Sequence, residues 1–180
     1  MKKFGILLIL LVFVQSIQAQ KYMSQNGVIS FFSSTPVEDI EAINNQVSAA
    51  LNTENGEIAS ALLMKAFNFE KALMQEHFNE KFVESEKFPK STFKGQIVDF
   101  ENLNLNDKPQ KVKLKGTLTL QGVTKDIDVE GTMSKANSVM DLKFQFDVLV
   151  ADYDIQIPGS VRENIAKTIK INGHFKMNEM

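Results

Sequence analysis

Between Lys111 and Leu120 apolar and polar side chains alternate without a break. Val112, Leu114, Leu118 and Leu120 share one parity with Gly116, and Lys111, Lys113, Lys115, Thr117 and Thr119 share the other. Successive side chains of a strand point to opposite faces, so a period of two over this length fits a strand and not a helix. One wet face and one dry face further imply an antiparallel sheet. Gln121-Gly122 turns the chain, and Ile127, Val129 and Met133 continue as a partner strand with Asp126, Asp128 and Glu130 outward. Lysines on one strand then face carboxylates on the next, worth roughly a few tenths of a kcal/mol per pair.

The same rhythm recurs. Met140, Leu142, Phe144, Phe146, Val148 and Val150 alternate, as do Ile169, Ile171, Phe175 and Met177 against Lys170, Asn172, His174 and Lys176. Residues 27–33 and 92–100 have strand character. Residues 46–53 and 58–67 flank Asn55-Gly56, which predicts a hairpin closed by a two-residue turn of positive φ. The second arm is apolar on both parities, predicting cover on both faces. Thr35-Pro36-Val37-Glu38 reads as a capping box opening a short helix through Ile40 and Ile43, with an extended edge segment as the competing reading. The total is about eight strands with short turns, so an eight-stranded antiparallel barrel or a deeply curved sandwich fits.

One segment breaks the pattern. Leu73, Met74, His77, Phe78, Lys81 and Phe82 form a single helical stripe, and Phe88-Pro89 is expected to end the helix. A helix set among hairpins belongs over a sheet or across the mouth of a barrel.

The N-terminus has Lys2 and Lys3, an apolar run from Gly5 to Val14, and Ser16-Ile17-Gln18-Ala19. This is the pattern of a signal peptide over residues 1–19, leaving a domain over residues 20–180 and a periplasmic or secreted product. A membrane anchor is the competing reading. Beyond residue 19, 18 basic side chains face 22 acidic ones, so the chain carries no electrostatic footprint for nucleic acid. With no cysteine there are no disulfides, thiolate metal sites or cysteine nucleophiles.

No motif of catalysis stands out. There is no Gly-x-Ser-x-Gly elbow, and the two histidines, His77 and His174, lie on the helix and on an outward parity. Asp152 and Asp154 lack the glycine and terminal glutamate of a calcium loop. The chain reads as a non-enzyme without cofactor or metal. Twelve phenylalanines after residue 19 offer apolar lining, which suits either a ligand cavity or a filled core.

Two stretches carry a family resemblance. Glu76-His77-Phe78-Asn79 leading to Phe88-Pro89-Lys90-Ser91-Thr92-Phe93 resembles the helix-to-strand segment of the YceI-like family. Residues 116–125 resemble that family's Gly-x-Leu-Thr-x-x-Gly-Val-Thr-Lys hairpin. The resemblance lapses at residues 33–41, where the family carries a His-Leu-Gly-Ile-like segment. It implies a lipocalin-like antiparallel barrel in an exported protein, a tunnel for a polyisoprenoid or similar lipid, and no catalytic residues. On parity, Leu114, Leu118, Phe144, Phe146, Ile171 and Phe175 should face that ligand, with Met74, His77 and Phe78 at the mouth. Transient membrane contact and a homodimer are left open. So is a structural or interaction module with a filled barrel.

Overall fold

The computed structural model describes residues 20–180. The signal-peptide reading falls on residues 1–19, outside the described residues. Nine strands follow in order: β1 (Lys21–Ser34), β2 (Asp39–Asn52), β3 (Glu57–Leu63), β4 (Asn68–Phe69), β5 (Lys90–Ile97), β6 (Gln110–Leu120), β7 (Val123–Ala136), β8 (Val139–Leu149) and β9 (Thr168–Glu179). The antiparallel order β1-β9-β8-β7-β6-β5-β3-β2 closes on itself through β1–β2, giving an eight-stranded barrel. The two-residue β4 adds to β2 at Ala42 and Ile43. Closure pairs every long strand on both sides, so no long edge is left exposed.

Three local expectations are corrected. The helix predicted from Thr35 is absent, and the chain runs directly from β1 into β2. The Thr35 hydroxyl does accept from the backbone N–H groups of Val37 and Glu38, as a cap would, but it closes a hairpin. Continuous pairing of β1 with β2 overrides the local signal, and Ile40, Ala42 and Asn44 follow a strand parity that leaves Ile43 outside. The β2–β3 loop is also wider than two residues. Gly56 N–H donates to Asn52 O, and Gly56 has φ +72° while Asn55 stays out of the left-handed region. The two-residue turn of positive φ lies instead at Gln121-Gly122, with φ values of 49° and 77°. Finally, β3 is covered on one face only, since Leu63 is exposed on the outer side.

β2 changes parity between Asn44 and Val47, where the β1–β2 register shifts. The buried Asn44 sutures this bend. Its amide donates to Leu63 O (3.0 Å) and its side-chain oxygen accepts from Gln46 N–H (2.9 Å). A bulge here turns the strand and tightens the barrel wall.

One end of the barrel is filled. Tyr22, Val47, Leu51, Ile97, Met133, Leu142, Phe175 and Met177 are all essentially inaccessible there. The β2–β3 loop, the β5–β6 loop and the ends of the described chain gather at this end, where Met180 N–H donates to Lys21 O (2.9 Å). The other end carries the β1–β2 hairpin tip, the Gln121-Gly122 turn, the 150–167 loop and the helical segment.

That segment is helix α1 (Ala72–His77), continued by a π turn over Phe78–Phe82. Val83 N–H reaches back five residues to Phe78 O (3.0 Å). The helix therefore ends well before Phe88-Pro89, and Glu84 at φ 42° breaks it. The ring of Phe88 instead seats against Gly122, so the two stretches that carry the family resemblance touch each other.

Candidate ligand-binding site

Beneath the helical segment lies a cavity of about 330 Å³. This is at the small end of the roughly 300–1,000 Å³ typical of ligand pockets. Of its 27 lining residues, 22 are apolar. They come from nearly every element at this end, including Ile29 and Phe31 of β1, Leu118 and Leu120 of β6, and Ile169 and Ile171 of β9. The alternation of the strands explains this directly, because one parity of each strand must face the barrel axis.

The roof is aromatic. Phe78 stands 5.4, 5.7 and 5.1 Å, centroid to centroid, from Phe31, Phe67 and Phe69. Phe31 in turn meets Phe67 at 5.3 Å and Phe69 at 5.6 Å. Tilted and edge-on rings at these spacings are favoured by their quadrupoles. Phe78 thus ties the helical segment to β1, to β4 and to the turn between β3 and β4. Short π segments recur at functional sites, and this one brings Phe78 and Phe82 both onto the cavity.

Five lining residues are polar: Ser33, Glu38, His77, Ser91 and Asn164. Glu38 sits in the segment where the family resemblance lapses. It accepts from Lys71 Nζ (3.1 Å) through one carboxylate oxygen and from Asn164 Nδ2 (3.2 Å) through the other. The hydrogen bond from Lys71, seconded by that from Asn164, holds the Glu38 carboxyl below the usual carboxylate range. One side chain thereby links the β1–β2 tip, the start of α1 and the 150–167 loop. Ser33 Oγ accepts from Ala166 N–H (2.9 Å), a second tie to that loop, and Ser91 donates to Thr119 O (2.9 Å).

The structure divides the nine expected site residues. Met74, His77, Phe78, Leu118, Phe146 and Ile171 line the cavity. Leu114, Phe144 and Phe175 do not. They do lie on the inward parity, but in or beside the filled end. Phe144 lies across Gly173 and meets Phe175 at 5.0 Å and 68°, with Phe146 at 6.3 Å on its other side. These rings form the floor beneath the cavity. Parity alone cannot tell depth along a strand, so it does not separate these three from the strand residues that line the cavity. The reverse omission is the 150–167 loop, whose Ile155, Ile157, Val161 and Ile165 also line the cavity. Its apolar residues show no strand rhythm, but their frequency in a loop was a signal. His174 is outward as its parity required, 3.0 Å from Asp141. No group of three or more potential metal ligands occurs among the described residues.

A closed antiparallel barrel, filled at one end and holding an apolar cavity under a short helix at the other, defines a lipocalin-like architecture. The YceI-like domain model matches residues 20–177, and the chain belongs to that family. Several solved structures share the fold. A polyisoprenoid binding domain from Saccharophagus degradans, implicated in plant cell wall breakdown, is 14% identical with a TM-score of 0.75, over 91% of this chain and 100% of that one. Burkholderia cenocepacia BcnA is 14% identical with a TM-score of 0.69, over 84% and 95%. A Campylobacter jejuni YCEI protein is 17% identical with a TM-score of 0.57, over 76% and 83%. No curated protein matches the sequence.

Proposed function

We propose that this protein is an exported, non-enzymatic carrier of a long apolar ligand, a polyisoprenoid or quinone-like lipid, in the hollow half of its barrel. The observation that carries the reading is the cavity itself, with 22 apolar residues among 27. Membership of the YceI-like family and the likeness to a domain described as polyisoprenoid binding support it. The driving force is desolvation. Each 100 Å² of apolar ligand surface buried is worth about 2.5 kcal/mol before the cost of association is subtracted.

The six lining residues Met74, His77, Phe78, Leu118, Phe146 and Ile171 are the proposed contacts, with Leu114, Phe144 and Phe175 supporting them from below. A prenyl tail longer than the cavity extends through the mouth. There Val37 and Leu73 are 60% and 61% exposed, which suits transient contact with a membrane surface during transfer. No helix among the described residues is long and apolar enough to cross a membrane. The interaction-module alternative rests on a filled barrel, and the apolar cavity favours the carrier reading over it.

The test is mass spectrometry of organic extracts from purified protein, alongside native mass spectra. A co-purifying prenyl lipid, or binding of added polyprenol or quinone, is expected. Absence of both sinks the carrier reading. Amino-terminal sequencing of protein from the cell exterior or periplasm tests export, with Gln20 expected first.

A further inference from the structure

We infer that the cavity mouth selects an uncharged, hydrogen-bonding head group and rejects the phosphate esters of the same lipid. This rests on the carrier reading above and narrows it to a ligand class. None of the 27 lining residues is a lysine or an arginine. His77 aside, the one ionisable lining side chain is Glu38. Sites that hold phosphates present the opposite character, with guanidinium forks, ammonium groups or converging backbone N–H groups.

The nearest cation is not free to hold a phosphate. Lys71 is already engaged by Glu38 at 3.1 Å, and Asn164 spends its amide on the same carboxylate at 3.2 Å. The Glu38 side chain is 24% exposed, partly withdrawn from water at the rim of an apolar space. Like charges repel more strongly in such surroundings than in bulk water. The elements around the mouth reinforce the effect. Segments 35–41, 70–82 and 150–167 together hold nine aspartates and glutamates against four lysines and arginines. A phosphate reaching the rim meets a negative field over a range of about 8–10 Å at ordinary salt.

A neutral head group meets a different environment. The His77 imidazole can donate or accept, the Ser33 hydroxyl retains a proton to donate, and the Asn164 side-chain oxygen can accept. A hydroxyl or a quinone carbonyl can use any of these without displacing the Glu38 bridge.

The experiment is calorimetric titration of delipidated protein with farnesol and with farnesyl phosphate at matched low salt, repeated in Glu38→Gln and in Glu57→Gln, which lies at the filled end. Farnesol is expected to bind about tenfold or more tightly than the phosphate. That ratio should fall in added salt and in Glu38→Gln, and hold in Glu57→Gln. Equal or tighter binding of the phosphate overturns the head-group inference and leaves the carrier reading standing. A ratio that shifts equally in both variants also overturns it, since net charge and not Glu38 would then govern selection. Binding of neither ligand overturns both readings.

Discussion

The ring of Phe144 fills the space that a side chain at Gly173 would need, since a Cβ built there would lie 2.0 Å from Phe144 Cζ. The residues are direct partners across β8 and β9. Gly173→Ala should therefore destabilise the barrel by about 1–3 kcal/mol through overpacking. Phe144→Ala removes the obstruction, so the double variant should cost less than the sum of the two single ones, with a coupling of about 0.5–3 kcal/mol. Urea denaturation of the four proteins measures this. Strict additivity would show that the ring and the glycine are independent.

Phe144 also lies beneath the cavity, stacked at 6.3 Å against Phe146, which lines it. Phe144→Ala should join the hollow half to new space beside Phe175 and lengthen the prenyl chain that can be enclosed. A ladder of prenyl alcohols of increasing length, scored by native mass spectrometry, should show retention extending to longer chains than in the parent. An unchanged length profile would place the depth limit elsewhere.

Phe78 is half-buried among three rings, so its loss should register in both binding and stability. Phe78→Ala should cost about 2–3 kcal/mol, less than the roughly 3–5 kcal/mol of a fully buried phenylalanine. Ligand should be lost as the helical segment detaches from Phe31 and Phe69. Retained ligand with a full-sized stability loss would make the segment a plug and not a lid.

Acid should loosen the mouth. The folded-state pKa of Glu38 is depressed below its ordinary value of 4.5, so the folded state favours the ionised form. Its contribution is then complete above about pH 4.5 and is lost as the pH falls through the folded value. Thermal melts from pH 7 to pH 3 should show the parent converging on Glu38→Gln. Asp128, lowered by its 2.7 Å hydrogen bond from Lys113, loses its contribution in the same direction and is common to both proteins. A difference that persists at pH 3 would contradict this account.

At Gly122 a backbone φ of 77° coincides with a tight contact, 2.6 Å from a built Cβ to Phe88 Cε1. Gly122→Ala should cost about 1–2 kcal/mol for the left-handed backbone, plus the shift of the Phe88 ring. Lowered protection of the Lys90–Ile97 amides in hydrogen exchange would locate the effect. A neutral substitution would show that the turn can relax.

Much of the barrel was readable because β6, β7, β8 and β9 each alternate cleanly, and parity fixes which face is dry. The hairpin at residues 35–38 was not readable, because Thr35 makes the same hydrogen bonds in a turn as in a helix cap. What decided it was pairing with β1, which is absent from the local sequence. The same holds within the candidate site. Leu118 and Leu114 are indistinguishable by pattern, yet the first lines the cavity and the second lies in the filled core. Glu38 could not be foreseen as a rim group because its partners, Lys71 and Asn164, are 33 and 126 residues away.

The hydrogen bond from Met180 N–H to Lys21 O joins the two ends of the described chain at the filled end. The described chain is thus close to circular, and its two ends lie on the side away from the opening. A tag or fused domain added there should not obstruct traffic through the mouth. A short bridge between the ends, with a new break at the exposed Pro36-Val37 tip, should likewise leave the strand order intact while cutting the loop that carries Glu38. Such a permuted chain would free the rim to move independently of the barrel beneath it.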